Sequence, residues 1–180
     1  CLLSRGLGDV YKRQPLENGV AAVVIYNLCV DSVTVSGTID SSDYSMTGTL
    51  LQPYSGKWKL PEEGLFLYDY DAHTGYPIGK NKHKFQISGF DDKLYFFIPI
   101  YKGWAVIGRT DKYLSPATVS DIKYKRNSLE LTLSEAGIFD FWMKEGTPYA
   151  ENITFTSLGN GIWRANAEHI SNNRIIILKK

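Results

Sequence analysis

The apolar and polar residues of this chain fall into short blocks and alternations that suit strands rather than helices. Residues 19–27, Gly-Val-Ala-Ala-Val-Val-Ile-Tyr-Asn, form a continuous apolar run rich in β-branched side chains, the pattern of a strand buried on both faces. Residues 31–40 alternate: Val33, Val35 and Ile39 face one way and Thr34, Ser36 and Thr38 the other, with Gly37 where the alternation slips. Residues 47–51 predict a weaker strand, and residues 52–64 a loop broken by Pro53, Gly56, Pro61 and Gly64. A strand comes next over 65–70, then a turn-rich segment over 73–79, a short strand over 84–88 and a turn over 89–92. The long apolar strand 93–101 ends near Pro99, whose missing N–H predicts an edge position or a bulge there.

The chain changes character between Pro99 and Val119. It reverses at Lys102-Gly103, runs out from Trp104 to Arg109, and passes a polar knee over 110–116. Regular hairpins come next. Residues 119–125 are predicted to pair with 128–133 across Arg126-Asn127, where Leu129, Leu131 and Leu133 alternate against Glu130 and Thr132. Residues 135–137 turn that strand into 138–142, and 152–158 pair with 162–167 through Gly159-Asn160-Gly161, whose Asn-Gly step is a strong hairpin signal. Residues 173–178 close the pattern, and no stretch holds a 3.6-residue apolar stripe for three turns. About a dozen strands with almost no helix predict an all-β fold, an antiparallel two-sheet β-sandwich of Greek-key type, as one domain over 15–180.

Residues 1–14 stand apart. They show no strand or helix period continuous with residues 15–180, and lack the apolar region and small-residue cleavage site of a secretory signal. They resemble a translated adapter scar and are expected to be a non-native tail, which makes the rest a piece of something larger. Without Arg5, Lys12, Arg13 and Asp9, the remaining 17 basic and 18 acidic side chains give a net charge of −1. No field of either sign therefore draws in nucleic acid or an anionic membrane, and neither partner is expected. Aromatic content of 13%, with 12 Tyr, 16 Gly and 7 Pro, fits a β-protein with many turns. Cys29 lies in an apolar context and reads as a buried free thiol; no apolar run approaches the roughly 20 residues of a membrane span.

Candidate chemistry is sparse. Residues 75–80 superficially suggest a phosphate loop, but the spacing is one residue short and Asn81 stands where a Mg²⁺-binding hydroxyl belongs. Asp69, Asp71 and His73 could ligate a cation, yet carboxylates beside a turn ordinarily cap backbone or face water. His73, His83 and His169 share no ligand spacing, so no metal or other cofactor is expected. The pairs Glu62-Glu63 and Asp91-Asp92 read as charged turn residues rather than glycosidase carboxylates. Of the four tryptophans, Trp104 and Trp142, embedded in apolar runs, belong to the core or a domain interface. Trp58, between Lys57 and Lys59, is expected to be exposed and able to stack on a sugar.

The order of features from Gly19 onward resembles the C-terminal β-domain of the raffinose synthase and seed-imbibition-protein group, related to the glycoside hydrolase family 36 α-galactosidases. The resemblance rests on the opening strand ending in Asn27, on residues 33–43, 65–70 and 94–100, and on Trp104-Ala-Val-Ile-Gly-Arg-Thr-Asp-Lys-Tyr-Leu-Ser-Pro116. Val106 replaces an expected proline and Arg109 an expected leucine. The resemblance implies a (β/α)₈ catalytic barrel upstream, with two aspartates that hydrolyse or transfer α-galactosides with retention. No catalytic residue carries over to this chain. It would pack on and stabilise that barrel, its principal partner, through a partly apolar surface that includes Trp104, Arg109, Asp111, Lys112 and Tyr113. The alternatives are a carbohydrate-binding module that takes α-galactoside oligosaccharides at Trp58, and a structural or adhesion-type β-domain.

Overall fold

The computed structural model of the chain describes residues 9–29, 33–50, 56–170 and 173–180. Its backbone gathers into two compact units. One comprises the described residues of Cys1–Pro15, Ala21–Leu60 and Gly64–Phe97; the other comprises Leu16–Val20, Pro61–Glu63 and the described residues of Ile98–Lys180. The class is all-β with one short α-helix among the described residues.

The first unit carries β1 (Asp9–Pro15), β2 (Ala21–Asn27), β3 (Thr34–Ile39), α1 (Ser41–Thr47), β4 (Leu65–Asp69), β5 (Thr74–Pro77), β6 (His83–Ser88) and most of β7 (Asp91–Pro99). One sheet has the order β1-β2-β7-β4-β5, and β3 pairs with β6 in a separate two-stranded sheet. Ala21, Val23 and Ile25 of β2 join Leu65, Leu67, Tyr95 and Phe97 on one face of the larger sheet. They pack with Ile39, Phe85 and Ile87 of the smaller sheet and with Tyr44 of α1. Ala22, Phe66 and Phe96, which alternate with these, are buried too, as the unbroken apolar run of β2 predicts. At the end of β2, Asn27 is 1% exposed and fully used. Its amide nitrogen donates to the carbonyls of Val33 (2.8 Å) and Ile87 (3.1 Å), and its oxygen accepts from the Cys29 N–H at 3.0 Å.

Three sequence expectations change here. Asp9–Gln14, expected to lie outside the strand pattern, form β1 with Pro15 and pair with β2 from Asp9↔Asn27 to Pro15↔Ala21. Strand addition at a sheet edge uses backbone groups and needs no side-chain alternation. Thr47, read as the start of a strand, ends α1, and Gly48–Leu50 form one 3₁₀ turn. The helix starts because the Asp40 carboxylate accepts the Ser42 N–H while Asp43 reaches back to the Asp40 N–H, a reciprocal cap. Pro99 ends a strand that lies between β2 and β4, not at an edge. Pairing with β2 stops at Phe97, so the missing N–H costs that ladder nothing.

The second unit carries β8 (Trp104–Gly108), β9 (Val119–Tyr124), β10 (Ser128–Leu133), β11 (Gly137–Met143), β12 (Pro148–Tyr149), β13 (Thr154–Gly159), β14 (Ile162–Ala167) and β15 (Arg174–Lys179). These form two four-stranded sheets, β12-β15-β10-β9 and β13-β14-β11-β8. Leu129, Leu131, Leu133, Ile175 and Ile177 from the first meet Trp104, Val106, Phe139, Phe141 and Ala165 from the second in one buried cluster. Each large side chain there stabilises the fold by about 1.5–3 kcal/mol through burial. The second unit thus has a facing pair of antiparallel sheets, the arrangement expected for residues 15–180 as a whole, and the all-β class is as expected. The chain passes from one sheet to the other at the knee between β8 and β9, through a 3₁₀ turn over Ser115–Thr118.

Candidate functional site

The knee is built by a backbone contact that only glycine permits. Gly108 has φ +90°, and a methyl group there would overlap the Ser115 carbonyl. Thr118 closes the turn: its hydroxyl donates to Ser115 O at 2.6 Å and accepts the Arg109 N–H at 3.0 Å. Arg109 is thereby aimed at Asp111, with Nε at 3.0 Å from Oδ1 and Nη2 at 2.7 Å from Oδ2. Its third nitrogen reaches Glu135 Oε2 at 3.0 Å and the Ala136 carbonyl at 3.2 Å, and Lys112 Nζ lies 3.8 Å from the same Glu135 oxygen. The hydrogen bonds with Asp111 raise the Arg109 pKa and hold the Asp111 carboxyl below its ordinary value. Arg109 and Lys112 thus converge on Glu135, a partner 26 residues from Arg109 that no local signal announces, while Asp111 takes the other side of the same guanidinium. Tyr113 is exposed beside them. Trp104 is the exception among the five expected surface residues: it is 1% exposed, its indole N–H donating to the Lys125 carbonyl at 3.0 Å within the sandwich core.

Trp58 is not the exposed platform its lysine flanks suggest. It is half-buried, its N–H donates to Ser45 O at 2.9 Å, and its ring lies 5.2 Å from that of Tyr44. Gly48 makes room for it, since a side chain there would overlap the indole. Trp58 covers the core of the first unit.

The carboxylates are largely engaged with protein. Asp69 Oδ1 accepts the Ala72 N–H at 3.0 Å, and Asp91 Oδ1 accepts the Asp92 N–H at 2.9 Å. Asp43 pairs with Arg13. Asp140, 0% exposed, receives Arg164 in a two-pronged fork with both N···O distances 2.9 Å. Burial pushes the Asp71 carboxyl above its ordinary value, against the hydrogen bond from the Leu94 N–H. His73 Nδ1 lies 3.2 Å from the Tyr68 hydroxyl. Burial lowers the pKa of His83, whose ring meets Tyr95 edge-on at 5.0 Å and whose Nδ1 is 2.8 Å from the Tyr76 hydroxyl. Among the described residues no three of His, Cys, Asp and Glu are grouped so as to hold a metal ion.

The reversal expected at Lys102-Gly103 is present and gains a distant partner that the sequence pattern does not announce. Lys102 and Gly103 both have positive φ, +54° and +78°, which makes Tyr101-Lys102-Gly103-Trp104 a tight hairpin turn. Glu63 clamps that turn, one carboxylate oxygen accepting Lys102 N–H at 2.7 Å and the other Gly103 N–H at 2.8 Å. Beside the clamp lies a recess of about 390 Å³ lined by Glu62, Glu63, Ile100, Tyr101, Lys102 and Tyr124. The rings of Tyr101 and Tyr124 stand 5.1 Å apart at 48°. A second recess of about 270 Å³ shares Glu63 and Lys102 with the first and adds Gly103, Arg126, Lys144, Glu145 and Lys179.

No protein-family model matches the chain, and no curated protein matches it.

Proposed function

We propose that the chain is the non-catalytic accessory β-region of a glycosidase or galactosyl transferase similar to the α-galactosidase and raffinose synthase group. In that role it packs on a (β/α)₈ barrel and stabilises it. The observation that carries this reading is the outer face of the β12-β15-β10-β9 sheet. Tyr149 and Leu178 are cross-strand partners there, and Ile176 lies two residues from Leu178 on the same face; all three are between 45% and 48% exposed. Exposed apolar side chains grouped in this way suit a protein partner. The use of carboxylates supports the same role. Retaining glycosidases set two carboxyl groups across an open substrate cleft, whereas Asp43 and Asp140, the buried carboxylates among the described residues, are each paired with an arginine. Of the segments that carry the resemblance, β2, β4, β7 and β8 are core strands, which fits a scaffold, while β3, within residues 33–43, is largely exposed.

The test joins two measurements. The chain alone is expected to leave 4-nitrophenyl α-galactoside uncleaved. A barrel of this group, made without its own C-terminal domain, is expected to melt at higher temperature when mixed with the chain, and Ile176→Asp with Leu178→Asp is expected to abolish the shift. Cleavage by the chain alone, or a barrel indifferent to it, overturns the reading.

A further inference from the structure

The second unit carries, at the end where several of its turns meet, a site that the docking role does not use. The Lys102-Gly103 turn, the Arg126-Asn127 turn, the 144–147 turn and the end of β15 are tied together there. Lys144 N donates to Gly103 O at 2.9 Å, Lys179 N to Asn127 O at 2.9 Å, and Thr147 and Lys180 exchange backbone hydrogen bonds. We propose that the twin recess at this end binds a pyranose that carries a carboxylate or a sulfate ester. Its ring would lie on Tyr101 and its acid group would face Lys102, Arg126 and Lys144.

Three observations lead to this ligand class. The aromatic platform is held in place: Tyr101 is 42% exposed, yet its hairpin is closed by paired Tyr101–Trp104 backbone bonds and clamped by Glu63. The two tyrosine rings touch, their centroids 5.1 Å apart and their planes tilted by 48°, so Tyr124 backs Tyr101 and the exposed part of the Tyr101 ring is a fixed π-surface for the C–H face of a puckered ring. Next, the cations are unevenly paired. Lys179 is paired with Glu145, whose charge Lys144 and Arg126 also feel without forming an ion pair with it, whereas Lys102 has no ion-pair partner among the described residues. Finally, the exposed carboxylate of Glu62 lines the aromatic recess. It would repel a bare anion but accept hydrogen bonds from hydroxyl groups, which a sugar acid supplies on its ring. The recesses of about 390 and 270 Å³ are near the lower end of small-ligand pockets, fitting one ring and its acid substituent. This proposal stands or falls independently of the barrel.

The experiment is calorimetric titration of the chain with digalacturonate, a sulfated galactobiose, neutral galactobiose and inorganic sulfate, with saturation-transfer NMR to locate ring contact. At least one of the two acidic sugars is expected to bind saturably, and the stronger of them identifies the acid group. The neutral disaccharide and free sulfate are each expected to bind at least about tenfold more weakly, and raising salt from about 0.05 to about 0.3 M to weaken the acidic sugar. Arg126→Glu with Lys144→Glu, both on exposed side chains, and Tyr101→Ala are each expected to weaken it about tenfold or more. If Tyr101→Ala does not fold, the charge-reversed variant decides. No binding of either acidic sugar, equal binding of the neutral one or of free sulfate, or an unchanged affinity on charge reversal overturns the proposal.

Discussion

The Asp140–Arg164 fork makes an asymmetric prediction. The Asp140 side chain is 0% exposed and that of Arg164 36%, so the two partners have very different access to water. Arg164→Met leaves an ionised carboxylate inside the second unit with no cation, the situation that costs about 3–5 kcal/mol for buried pairs. Partial solvation of the guanidinium already screens the pair, which places the expected loss at the lower end, about 3 kcal/mol. Asp140→Asn removes the buried charge and leaves an arginine that can turn to solvent, so the expected loss is smaller, about 1–1.5 kcal/mol. Urea unfolding followed by tryptophan emission reads this directly, because Trp104, Trp142 and Trp163 all belong to the second unit. The order of stability should be wild type, then Asp140→Asn, then Arg164→Met, with the last melting on the order of 10 °C lower. Equal losses, or an Arg164→Met variant no worse than Arg174→Met at an exposed pair, would refute the reasoning.

Glu63→Gln keeps one acceptor of the turn clamp and loses its charge; a cost of about 1 kcal/mol is expected, with faster amide exchange at Lys102 and Gly103 as the check. Gly108→Ala forces both a positive φ and an overlap with the Ser115 carbonyl, so a loss of about 3 kcal/mol or failure to fold is expected in a thermal melt. His83 has a folded-state pKa below its ordinary value, so protonation favours the unfolded chain and stability is lost as pH falls through the ordinary histidine value. Denaturation of the first unit at about pH 7 and about pH 5 should show that fall, and His83→Gln should flatten it; an identical slope in the variant counts against the burial argument. Removing residues 1–14 opens the β2 edge and takes Arg13 from Asp43, so the truncated chain should unfold at lower denaturant and associate more readily. An unchanged midpoint would show that β1 pairing contributes no stability.

The strands of the second unit are legible in the sequence because their signals are local. Leu129, Leu131 and Leu133 alternate within one strand, and Asn160-Gly161 sits between two short runs, so period and turn chemistry agree. The helix over Ser41–Thr47 escapes a reading by periodicity although Asp40 and Asp43 have the spacing of a reciprocal cap, because too few residues lie beyond the cap for any apolar stripe to show. Trp58 misleads because its lysine flanks describe its neighbours' exposure, while the space it fills comes from Gly48, ten residues away. The tyrosine recess is hidden for a related reason. Its walls come from three stretches of chain, and Glu63 lies 39 residues from Lys102, the first amide it clamps.

Total charge gives no hint of a ligand, because a net of +1 over 180 residues predicts no field. What distinguishes the two regions of interest in the second unit is how the charges are matched. At the knee, Arg109, Asp111, Lys112 and Glu135 satisfy one another, and Arg164 satisfies Asp140; such groups have little left to offer a ligand beyond the fixed shape they maintain. At the turn end, the Glu63 carboxylate is consumed by two backbone N–H groups and Glu145 is paired with Lys179, so the two carboxylates only partly serve the other cations. Lys102, Arg126 and Lys144 are held near one another by turns that exchange backbone hydrogen bonds. Keeping like charges together costs stability that a matched carboxylate would have restored. That excess of cations over the free carboxylate charge, beside an exposed aromatic ring, is the physical reason to look for a further acid group in a ligand.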